Sequence, residues 1–594
     1  MATTGAGLRE RRRTVTEERV PEGDRQEEEE GEKGGEKEQV EVVSKGVGWG
    51  GAFCCLMIAR YYSAMYNNIH DCDEVFNYWE PLHYLLYKSG FQTWEYSSEF
   101  ALRSYLYELL HAVFSGPSVL LSNKVQVFYT VRLALGLLSA STEATLVEAA
   151  NQKFGARVGM YTLMLLCVSS GCFNASTSFL PSTFSMYAIT LASALVLLGD
   201  RHKTVVAVAA AGVLIGWPFA ALAAAPLVIY SLLGGGFLRV FLAGLLTTLC
   251  TMVLSVLTDR YFYGRWTSSV VNLVIYNVFS GEGSTLYGVE GPSFYILNAF
   301  NNFNFSFLFA LMSPSLLYIA SRDYNSLPRK PSREYTRLLV AISPLFIWLA
   351  FMSLQPHKEE RFLYPVYPLI CLAAAATIER LHDYLPESWE YHEHFSWITW
   401  GVKRARPLIL GGILALSYCR TLSLYHGYSA PMQVYRYLPS MHAALSNTTA
   451  GTTVCVGSEW YRYPSSFFLP SSHYHVAWLD DGFAGLLPRP FDPTLGGTIA
   501  APPYFNGKNK ASPVQFLSDE SLCDFLVELK LDRNDRTFRS NDETSWEPVY
   551  EQIFLDKELS PSRTRAFFLP WIWEKSNTFG IYRLLRRINK SAST

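Results

Sequence analysis

The chain has 594 residues, of which 49% are hydrophobic, 15% aromatic and only 17% charged, whereas soluble domains carry about 25% charged residues. This balance excludes an ordinary soluble enzyme and indicates many apolar segments. Fifty basic and 52 acidic residues give a net charge of −2, which argues against a nucleic-acid partner, because such binding depends on neutralising phosphates. Ten Cys are too few for a secreted disulfide scaffold of this length.

The N-terminal 45 residues are strongly polar, with nine Lys/Arg, 13 Asp/Glu and no aromatic residue. This composition predicts a disordered cytosolic tail over 1–45. The first apolar run, at about 47–65, begins too late for a cleaved signal peptide. It is therefore predicted to be a signal anchor that stays in the protein.

Apolar segments long enough to cross a membrane, about 20 residues each, recur through the middle of the chain. The predicted spans after the anchor lie at about 126–148, 156–173, 180–198, 204–231, 236–258, 294–320, 338–354, 362–379 and 406–424. The run at 204–231 is longer than one span needs and is interrupted at Trp217-Pro218, so it is either one span or a helical hairpin. The expected total is about ten or 11 transmembrane helices in a module over 46–424.

Short loops rich in Lys and Arg favour the cytosolic side of a membrane. The basic loop 321–337 and the basic turn 403–406 are therefore expected to be cytosolic. Alternation then predicts four lumenal stretches: the loop 67–125, the loop 259–293, the turn around His357 and the C-terminal region 425–594. Residues 76–122 are expected to lie along the lumenal interface as amphipathic helices, and the short strands and Gly/Pro turns of 425–594 predict an α/β domain.

A cluster of carboxylates follows the anchor, with Asp71, Asp73, Glu74 and Glu80 within ten residues. Crowded carboxylates raise one another's pKa, which suits a general base. The alternative interpretations are a solvated helix cap and a divalent-metal site, although no nucleotide-binding motif accompanies the D-x-D pattern.

A second charged cluster, HKEERF at 357–362, lies between two predicted spans. Arg361 offers a planar fork and Lys358 a point charge, and with His357 they would form a compact site for a phosphate headgroup. The alternative is that these long side chains only snorkel towards the interface.

Three runs together carry a resemblance to a known family: DCDEVFNYWEP at 71–81, GFQTWEYS at 90–97 and HKEERF at 357–362. They closely resemble the dolichyl-phosphate-mannose-dependent mannosyltransferases of the endoplasmic reticulum, and among these the α-1,2-mannosyltransferases of lipid-linked oligosaccharide assembly. The resemblance covers about residues 47–590, including CVG at 455–457, WYR at 460–462 and PSSF at 464–467.

The resemblance implies an α-helical multispanning membrane protein of the glycosyltransferase C superfamily, with a C-terminal lumenal α/β domain and its active site at the lumenal boundary of the endoplasmic reticulum membrane. It implies inverting transfer of mannose from dolichyl phosphate mannose in α-1,2 linkage. The acceptors would be the dolichyl-diphosphate oligosaccharides Man6GlcNAc2 and Man8GlcNAc2 in N-glycan precursor assembly. Membrane lipid is the other expected partner, and the oligomeric state stays open.

The mechanism assigns roles to the two charged clusters. Inversion needs one base, for which Asp73 is the first choice and Asp71 the second, while Glu74 is expected to orient the loop or the sugar. The leaving dolichyl phosphate needs cations rather than an acid, and His357, Lys358 and Arg361 would supply them. No metal and no other cofactor is therefore expected. Weaker candidates for contacts to the acceptor or its sugars are Glu80, Glu360, Trp460, Tyr461 and Arg462.

Several expectations concern covalent modification and rival functions. Disulfides are open among Cys72, Cys455 and Cys523, and Asn447 is the preferred glycosylation site. The nearest rival function is a mannosyltransferase of glycosylphosphatidylinositol anchor assembly, which would share the donor and the fold. A remoter rival is a transporter or lipid scramblase, which would be expected to carry ionisable residues at mid-span.

Overall fold

The computed structural model describes residues 46–279, 288–321, 333–385, 396–445, 451–532 and 538–588. The expected disordered tail and the glycosylation site Asn447 lie outside these residues. The described chain is mostly helical up to residue 445 and continues into a region built on a β-sheet.

The helices are numbered in chain order. Up to residue 279 they are α1 (Trp49–Tyr66), α2 (Cys72–Glu74), α3 (Glu80–Tyr87), α4 (Tyr105–Val119), α5 (Lys124–Phe154), α6 (Ala156–Val168), α7 (Ser170–Ala175), α8 (Pro181–Leu198), α9 (His202–Ala211), α10 (Ala221–Gly234), α11 (Phe237–Tyr263) and α12 (Ser269–Phe279). The later ones are α13 (Phe294–Phe303), α14 (Phe305–Ser321), α15 (Arg333–Leu354), α16 (Tyr367–Glu379), α17 (Ser396–Tyr428), α18 (Ala430–Leu445), α19 (Ser562–Ala566) and α20 (Ile572–Ser576). A π-helical turn, Val75–Trp79, joins α2 to α3.

Six helical segments of the described chain are long and apolar enough to cross a membrane. They are Lys124–Phe154, Pro181–Leu198, Phe237–Tyr263, Arg333–Leu354, Glu360–Glu379 and Ser396–Tyr428. Five shorter apolar helices accompany them, Ala156–Val168, His202–Gly216, Pro218–Gly234, Ser269–Phe279 and Phe305–Ser315. The protein is thus a multispanning helical membrane protein, while the expected number of crossings and their orientation stay predictions.

The structure refines three predicted spans. The run at 204–231 is two helical segments that meet at Trp217, since a π-helical turn ends at Gly216 and a 3-10 turn begins at Pro218, as in the hairpin alternative. The run at 294–320 is divided at Asn304, which has a φ of 43° and donates a hydrogen bond to Ser417 in α17 at 2.9 Å. The predicted span 156–173 is also divided, because α6 ends at Val168.

The predicted anchor corresponds to α1, which is not one of the six long apolar segments. It carries Arg60, which forms a fully buried ion pair with Glu143 of α5 at 2.8 Å. A charge inside a helical bundle is tolerated when it is paired in this way. The sequence interpretation placed the important charges at one membrane boundary and did not anticipate this pair.

The loop between α1 and α5 contains α4, whose 15 residues span about 22 Å, less than the apolar core of a membrane. This length agrees with the expectation that 103–122 does not cross. Leu120 and Leu121, just after α4, are 88% and 87% exposed, as expected for residues that contact lipid. The interfacial position of this segment stays a prediction.

The C-terminal region is built on a five-stranded mixed sheet. Its strands, with two short ones, are β1 (Phe91–Gln92), β2 (Thr452–Val456), β3 (Tyr474–Trp478), β4 (Arg489–Pro490), β5 (Phe525–Lys530), β6 (Trp546–Leu555) and β7 (Phe579–Arg587). The strand order is β3-β2-β5-β7-β6. Strand β2 is parallel to β3 and β5, and strand β7 is antiparallel to β5 and β6. The α/β character expected for 425–594 is therefore confirmed.

A disulfide joins Cys455 of β2 to Cys523, just before β5, while Cys72 is a free thiol. Among the pairings left open by the sequence, the structure therefore has Cys455 with Cys523.

Backbone pairing joins the sheet region to the loop after α1. Strand β1 of that loop pairs antiparallel with β4, and the amide of Phe491 donates to the carbonyl of Gly90 at 2.8 Å. Gly90 has a φ of 145°, and a Cβ there would lie 2.6 Å from the carbonyl oxygen of Glu80, so only glycine fits. These contacts position the C-terminal region over the acidic loop.

Candidate active site

A cavity of about 500 Å³ opens between the acidic loop, the ends of several apolar helices and the C-terminal region. The acidic loop contributes residues from 71–73, 76–78 and 93–95, and the helical module contributes Trp217 with His357, Glu359 and Arg361. The C-terminal region contributes Trp460, Phe483 and 486–488. The size suits a small polar group with apolar surroundings. The cavity is the candidate active site because both predicted charged clusters reach it.

The two charged clusters meet at Arg361, which has a side chain 12% exposed. Its guanidinium contacts Asp71 at 2.8 Å and Asp73 at 2.6 Å and also pairs with Glu359. The backbone amide of Asp73 donates to Asp71 at 2.8 Å, so Asp71 caps α2. This cap directs both aspartates towards the arginine, although they are almost 290 residues from it in sequence.

The ionisation of these groups is set by burial and by the arginine. Burial, helped by the charges of Glu359 and Asp73, raises the pKa of Asp71 to about 7, although Arg361 opposes the shift. Burial acts in the same direction on Glu359, but Arg361 and His357 outweigh it and lower the pKa of Glu359 to about 2. The hydrogen bond to Glu359 raises the pKa of His357. The site therefore holds one carboxyl that titrates near neutrality beside one that stays ionised.

Glu74 is buried and does not line the cavity. Its Oε1 accepts hydrogen bonds from the indole of Trp79 at 3.1 Å and from the amide of Phe179 at 3.0 Å. These contacts fix the acidic loop against the segment that precedes α8. The position agrees with orientation of the loop and not with contact to a reacting group.

The basic side chains of the second cluster point in two different directions. His357 lines the cavity and contacts Glu359 at 3.2 Å. Lys358 is buried, and its ammonium donates to the backbone carbonyls of Glu290, at 2.8 Å, and of Gln355. Lys358 is not part of the cavity lining. The phosphate contact expected of it does not fit this position, because two of its three N–H donors bind backbone carbonyls and the side chain does not line the cavity.

Glu80 was also expected to contact a sugar, but its position in the structure does not allow this. It is fully buried, and its carboxylate accepts from the hydroxyls of Ser465 at 2.8 Å and Ser466 at 2.7 Å and from the amides of Ser466 at 2.6 Å and Phe91 at 2.9 Å. Both oxygens are therefore used within the protein. Glu80 joins the acidic loop to the C-terminal region and leaves no oxygen for a ligand.

Replacing Glu80 by Gln is expected to lower the free energy of unfolding by about 2–4 kcal/mol, because an amide NH2 would face donors that need an acceptor. Thermal unfolding in detergent would measure this change. Glu574→Gln, an exposed glutamate on α20, is the matched control and should leave the transition in place. Equal midpoints for the two variants would contradict the joining role of Glu80.

The remaining sugar-contact candidates differ in position. Trp460 lines the cavity and packs against Phe483, with ring centroids 4.7 Å apart. Glu360 faces α13, where it accepts from Asn298 at 3.1 Å and Asn302 at 2.8 Å. Tyr461 and Arg462 stack on each other outside the cavity lining, with the guanidinium 4.4 Å from the ring centroid. Only Trp460 of these four is placed to contact a ligand in this cavity.

The sequence interpretation missed an ion pair that lines the cavity. Arg103 contacts Glu95 at 2.5 Å and donates to the hydroxyl of Tyr78 at 2.8 Å. Glu95 stands within the 90–97 motif, whose polar residues were given no role. Arg103 begins the stretch 103–122, which was considered only as a possible span.

The acidic loop also offers a candidate position for a cation. Ligand atoms of Asp71, Cys72 and Asp73 lie within 4.8 Å of one another. The oxygens of both aspartates already contact Arg361, which supplies positive charge at the same place. The residues present are therefore compatible with a centre that needs no metal.

Comparison with known proteins identifies the family. Residues 51–470 match the model of the Alg9-like mannosyltransferase family. A relative from Arabidopsis thaliana named α-1,2-mannosyltransferase ALG9 is 52% identical over 547 residues, which cover 92% of this chain and 93% of the relative. The human protein of the same name is 36% identical over 558 residues, which cover 90% of this chain and 88% of the human protein. The human GPI α-1,2-mannosyltransferase 3 is 25% identical over 327 residues and covers 51% of this chain and 53% of its own length.

Among solved structures, ArnT from Cupriavidus metallidurans bound to undecaprenyl phosphate matches with a TM-score of 0.50 at 12% identity, covering 90% of this chain and 98% of that one. At this identity the match shows the fold alone, which is that of the glycosyltransferase C superfamily. The family match and the identities over nearly the whole chain show the family, and the structural match shows the fold. The protein belongs to the Alg9-like mannosyltransferase family and is a membrane-embedded mannosyltransferase of the glycosyltransferase C fold.

Proposed function

We propose that the protein transfers mannose from dolichyl phosphate mannose, in α-1,2 linkage and with inversion, to the dolichyl-diphosphate oligosaccharides Man6GlcNAc2 and Man8GlcNAc2. The observation that carries the proposal is the contact of Arg361 with Asp71 and Asp73 inside the cavity. It places an anion-binding group beside two candidate bases. The names of the relatives, α-1,2-mannosyltransferases at 36% to 52% identity, support the linkage.

Asp73 is the proposed base. A β-linked phosphate donor that gives an α-linked product requires attack from the face opposite the leaving group, so one carboxylate must take the proton from the acceptor hydroxyl. Asp73 has a side chain 36% exposed, compared with 22% for Asp71. The more open carboxylate is the easier one for an acceptor sugar to reach, which leaves Asp71 as the second candidate.

Arg361 and His357 are the proposed partners of the leaving phosphate. Dolichyl phosphate leaves as a weak base, so it needs positive charge on its oxygens and no proton. Arg361 contacts the proposed base Asp73 through Nη2 and the second candidate Asp71 through Nε, and its Nη1 has no described protein partner and is not enclosed. One guanidinium can thus orient the base and bind the phosphate.

The active centre is proposed to lie on the lumenal side of the endoplasmic reticulum membrane. The disulfide between Cys455 and Cys523 supports this orientation, since disulfides persist in oxidising compartments. The C-terminal region contributes Trp460 to the cavity, so the cavity would be on the same side.

The test of the function is transfer of labelled mannose by the purified protein to three acceptors: the six-mannose and the eight-mannose lipid-linked oligosaccharides and the mannolipid of anchor assembly. We expect transfer to the first two and a linkage cleaved by an α-1,2-mannosidase. Transfer to the anchor lipid alone would contradict the proposal in favour of the rival acceptor. No transfer to any acceptor, with folding and donor verified, would contradict the proposed donor.

The reaction is proposed to need no metal, because the guanidinium of Arg361 already supplies positive charge between the two aspartates. Washing the membranes with chelator is expected to leave the transfer rate unchanged. Loss of transfer that is restored by one divalent ion would instead assign that ion to Asp71 and Asp73.

Donor binding is expected to weaken as the pH rises through about 7. Below this pH the carboxyl of Asp71 is protonated and neutral, and above it the carboxyl is ionised, which adds a negative charge beside the phosphate. The phosphodiester keeps a single charge throughout. The KM for donor, measured from pH about 6 to about 8, should therefore rise in wild type and should rise less steeply in Asp71→Asn, in which only the loss of charge on His357 remains. A rise of the same size in both proteins would contradict the assignment.

A further inference from the structure

If Arg361 were the only permanent cation of the described cavity lining, the lining would carry too little positive charge to bind a phosphate. Four carboxylates line the cavity, those of Asp71, Asp73, Glu95 and Glu359. Arg361 contacts three of them, and Lys358 donates to backbone carbonyls instead. An anionic ligand bound by Arg361 would therefore meet an excess of negative charge.

Arg103 is the other Arg or Lys side chain of the described lining. It has one carboxylate neighbour at ion-pair distance, Glu95 at 2.5 Å, and its Nη1 donates to the hydroxyl of Tyr78 at 2.8 Å. Its Nη2 has no protein partner among the described residues and is not enclosed. This nitrogen is the end of the guanidinium that can take an anion.

Arg103 and Arg361 are both influenced by the charge of the same carboxylate, that of Asp73. Burial acts against the charge of Arg103, but the carboxylate of Glu95 and, to a smaller extent, that of Asp73 raise its pKa. Asp73 is itself the partner of Arg361 at 2.6 Å. The two arginines therefore line one cavity, and both have the proposed base Asp73 in their electrostatic surroundings.

Local structure holds Arg103 in this position. The guanidinium lies 5.7 Å from the centroid of the Tyr78 ring, and the carbonyl of Arg103 accepts from the hydroxyl of Tyr263 at 2.6 Å. The side chains of Arg103 and Glu95 are each 16% exposed. An arginine fixed at its backbone and along its plane loses little freedom when it binds a ligand.

We propose that Arg103 is a second phosphate-binding residue, which forms with Arg361 a two-arginine clamp on the phosphate of the polyprenyl-linked donor and of the polyprenyl phosphate product. Glu95 is the positioning residue that holds Arg103 until the ligand arrives. The proposal rests on the proposed function, since it concerns the donor of that reaction.

The test uses the full-length enzyme with three substitutions and one control. Arg103→Gln removes the charge, Arg103→Lys keeps the charge without the fork, and Glu95→Gln keeps the shape of the partner without its charge. Arg265→Gln, an arginine outside the cavity lining that donates to the carbonyl of Glu99, is the matched control. The readouts are the KM for donor, the KM for acceptor, kcat, and inhibition by a short-chain prenyl monophosphate and by inorganic phosphate.

We expect Arg103→Gln to raise the donor KM and to weaken prenyl phosphate inhibition about ten- to a hundredfold, the loss typical of one charged hydrogen bond. The acceptor KM should stay within about twofold, and Arg103→Lys should fall between Gln and wild type. Glu95→Gln should bind the prenyl phosphate at least as tightly as wild type, because it frees the charge of Arg103.

Other outcomes would overturn the inference. A purely structural ion pair would make Glu95→Gln and Arg103→Gln lose activity together, with prenyl phosphate inhibition unchanged. Inhibition by inorganic phosphate as strong as that by prenyl phosphate, and lost in Arg103→Gln, would assign the site to a free anion. If Arg103→Gln does not fold, the other two variants still test the inference. Arg103→Lys is expected to weaken prenyl phosphate binding, whereas Glu95→Gln is expected not to weaken it. Failure of wild type to transfer mannose would instead contradict the proposed function.

Discussion

Replacing Asp73 by Asn is expected to reduce mannose transfer by about 10²- to 10⁴-fold, the range typical of a lost general base. The amide has nearly the shape of the carboxylate, and its oxygen can still accept from Arg361, which lies at 2.6 Å. The centre should therefore keep its geometry and lose only the group that takes the proton. The measurement is the rate of a single turnover with bound donor and excess acceptor.

The control is Asp542→Asn, an exposed aspartate in the C-terminal region whose carboxylate accepts from the amide of Thr544 at 3.1 Å. It should leave the rate at the wild-type value. If Asp73→Asn retained more than about a tenth of the wild-type rate, the base would have to be Asp71, and Asp71→Asn would then show the larger loss.

Replacing Arg361 by Gln is expected to lower kcat/KM for donor by more than about 100-fold. The change removes the cation proposed to bind the phosphate and also leaves Asp71, Asp73 and Glu359 without the cation that they share. Both effects act against an anionic donor, so the loss should appear in the donor KM and in kcat. Initial rates at varied donor and fixed acceptor would separate these two contributions.

Arg539→Gln is the matched control for this change. Arg539 also bridges two carboxylates, Asp481 at 2.7 Å and Glu520 at 2.8 Å, but it lies away from the cavity lining. It should leave kcat/KM within about twofold of wild type. Equal losses in both variants would indicate a general effect of breaking ion-pair bridges and would contradict the special role of Arg361.

Local patterns in the sequence predicted much of the fold and part of the site. Apolar runs identified the helical module, and the strand pattern predicted the C-terminal sheet region. The break at Trp217 left open one span or a hairpin, and the structure has two helical segments there. The acidic motif and the 357–362 motif were both recognised as functional. The structure places three members of these motifs, Asp71, Asp73 and Arg361, in direct contact.

What sequence could not predict was the direction in which each charged side chain points. Glu80 belongs to the acidic motif, yet its oxygens accept from a segment almost 390 residues away, a contact that only the tertiary fold creates. Lys358 stands between two residues that line the cavity and points to the backbone. Arg103 contributes to the cavity because an ion pair eight residues back along the chain holds it there. Composition and spacing carry no information on such orientations.

In the proposed mechanism Asp73 takes the proton of the acceptor while Arg361, which contacts it at 2.6 Å, binds the phosphate. The most direct test is to measure, in one preparation of Asp73→Asn, both the dissociation constant for dolichyl phosphate mannose and the rate of transfer to the six-mannose acceptor. We expect a dissociation constant within about threefold of wild type and a transfer rate lowered at least about 100-fold. A transfer rate near that of wild type, or a loss explained entirely by weaker donor binding, would contradict this mechanism.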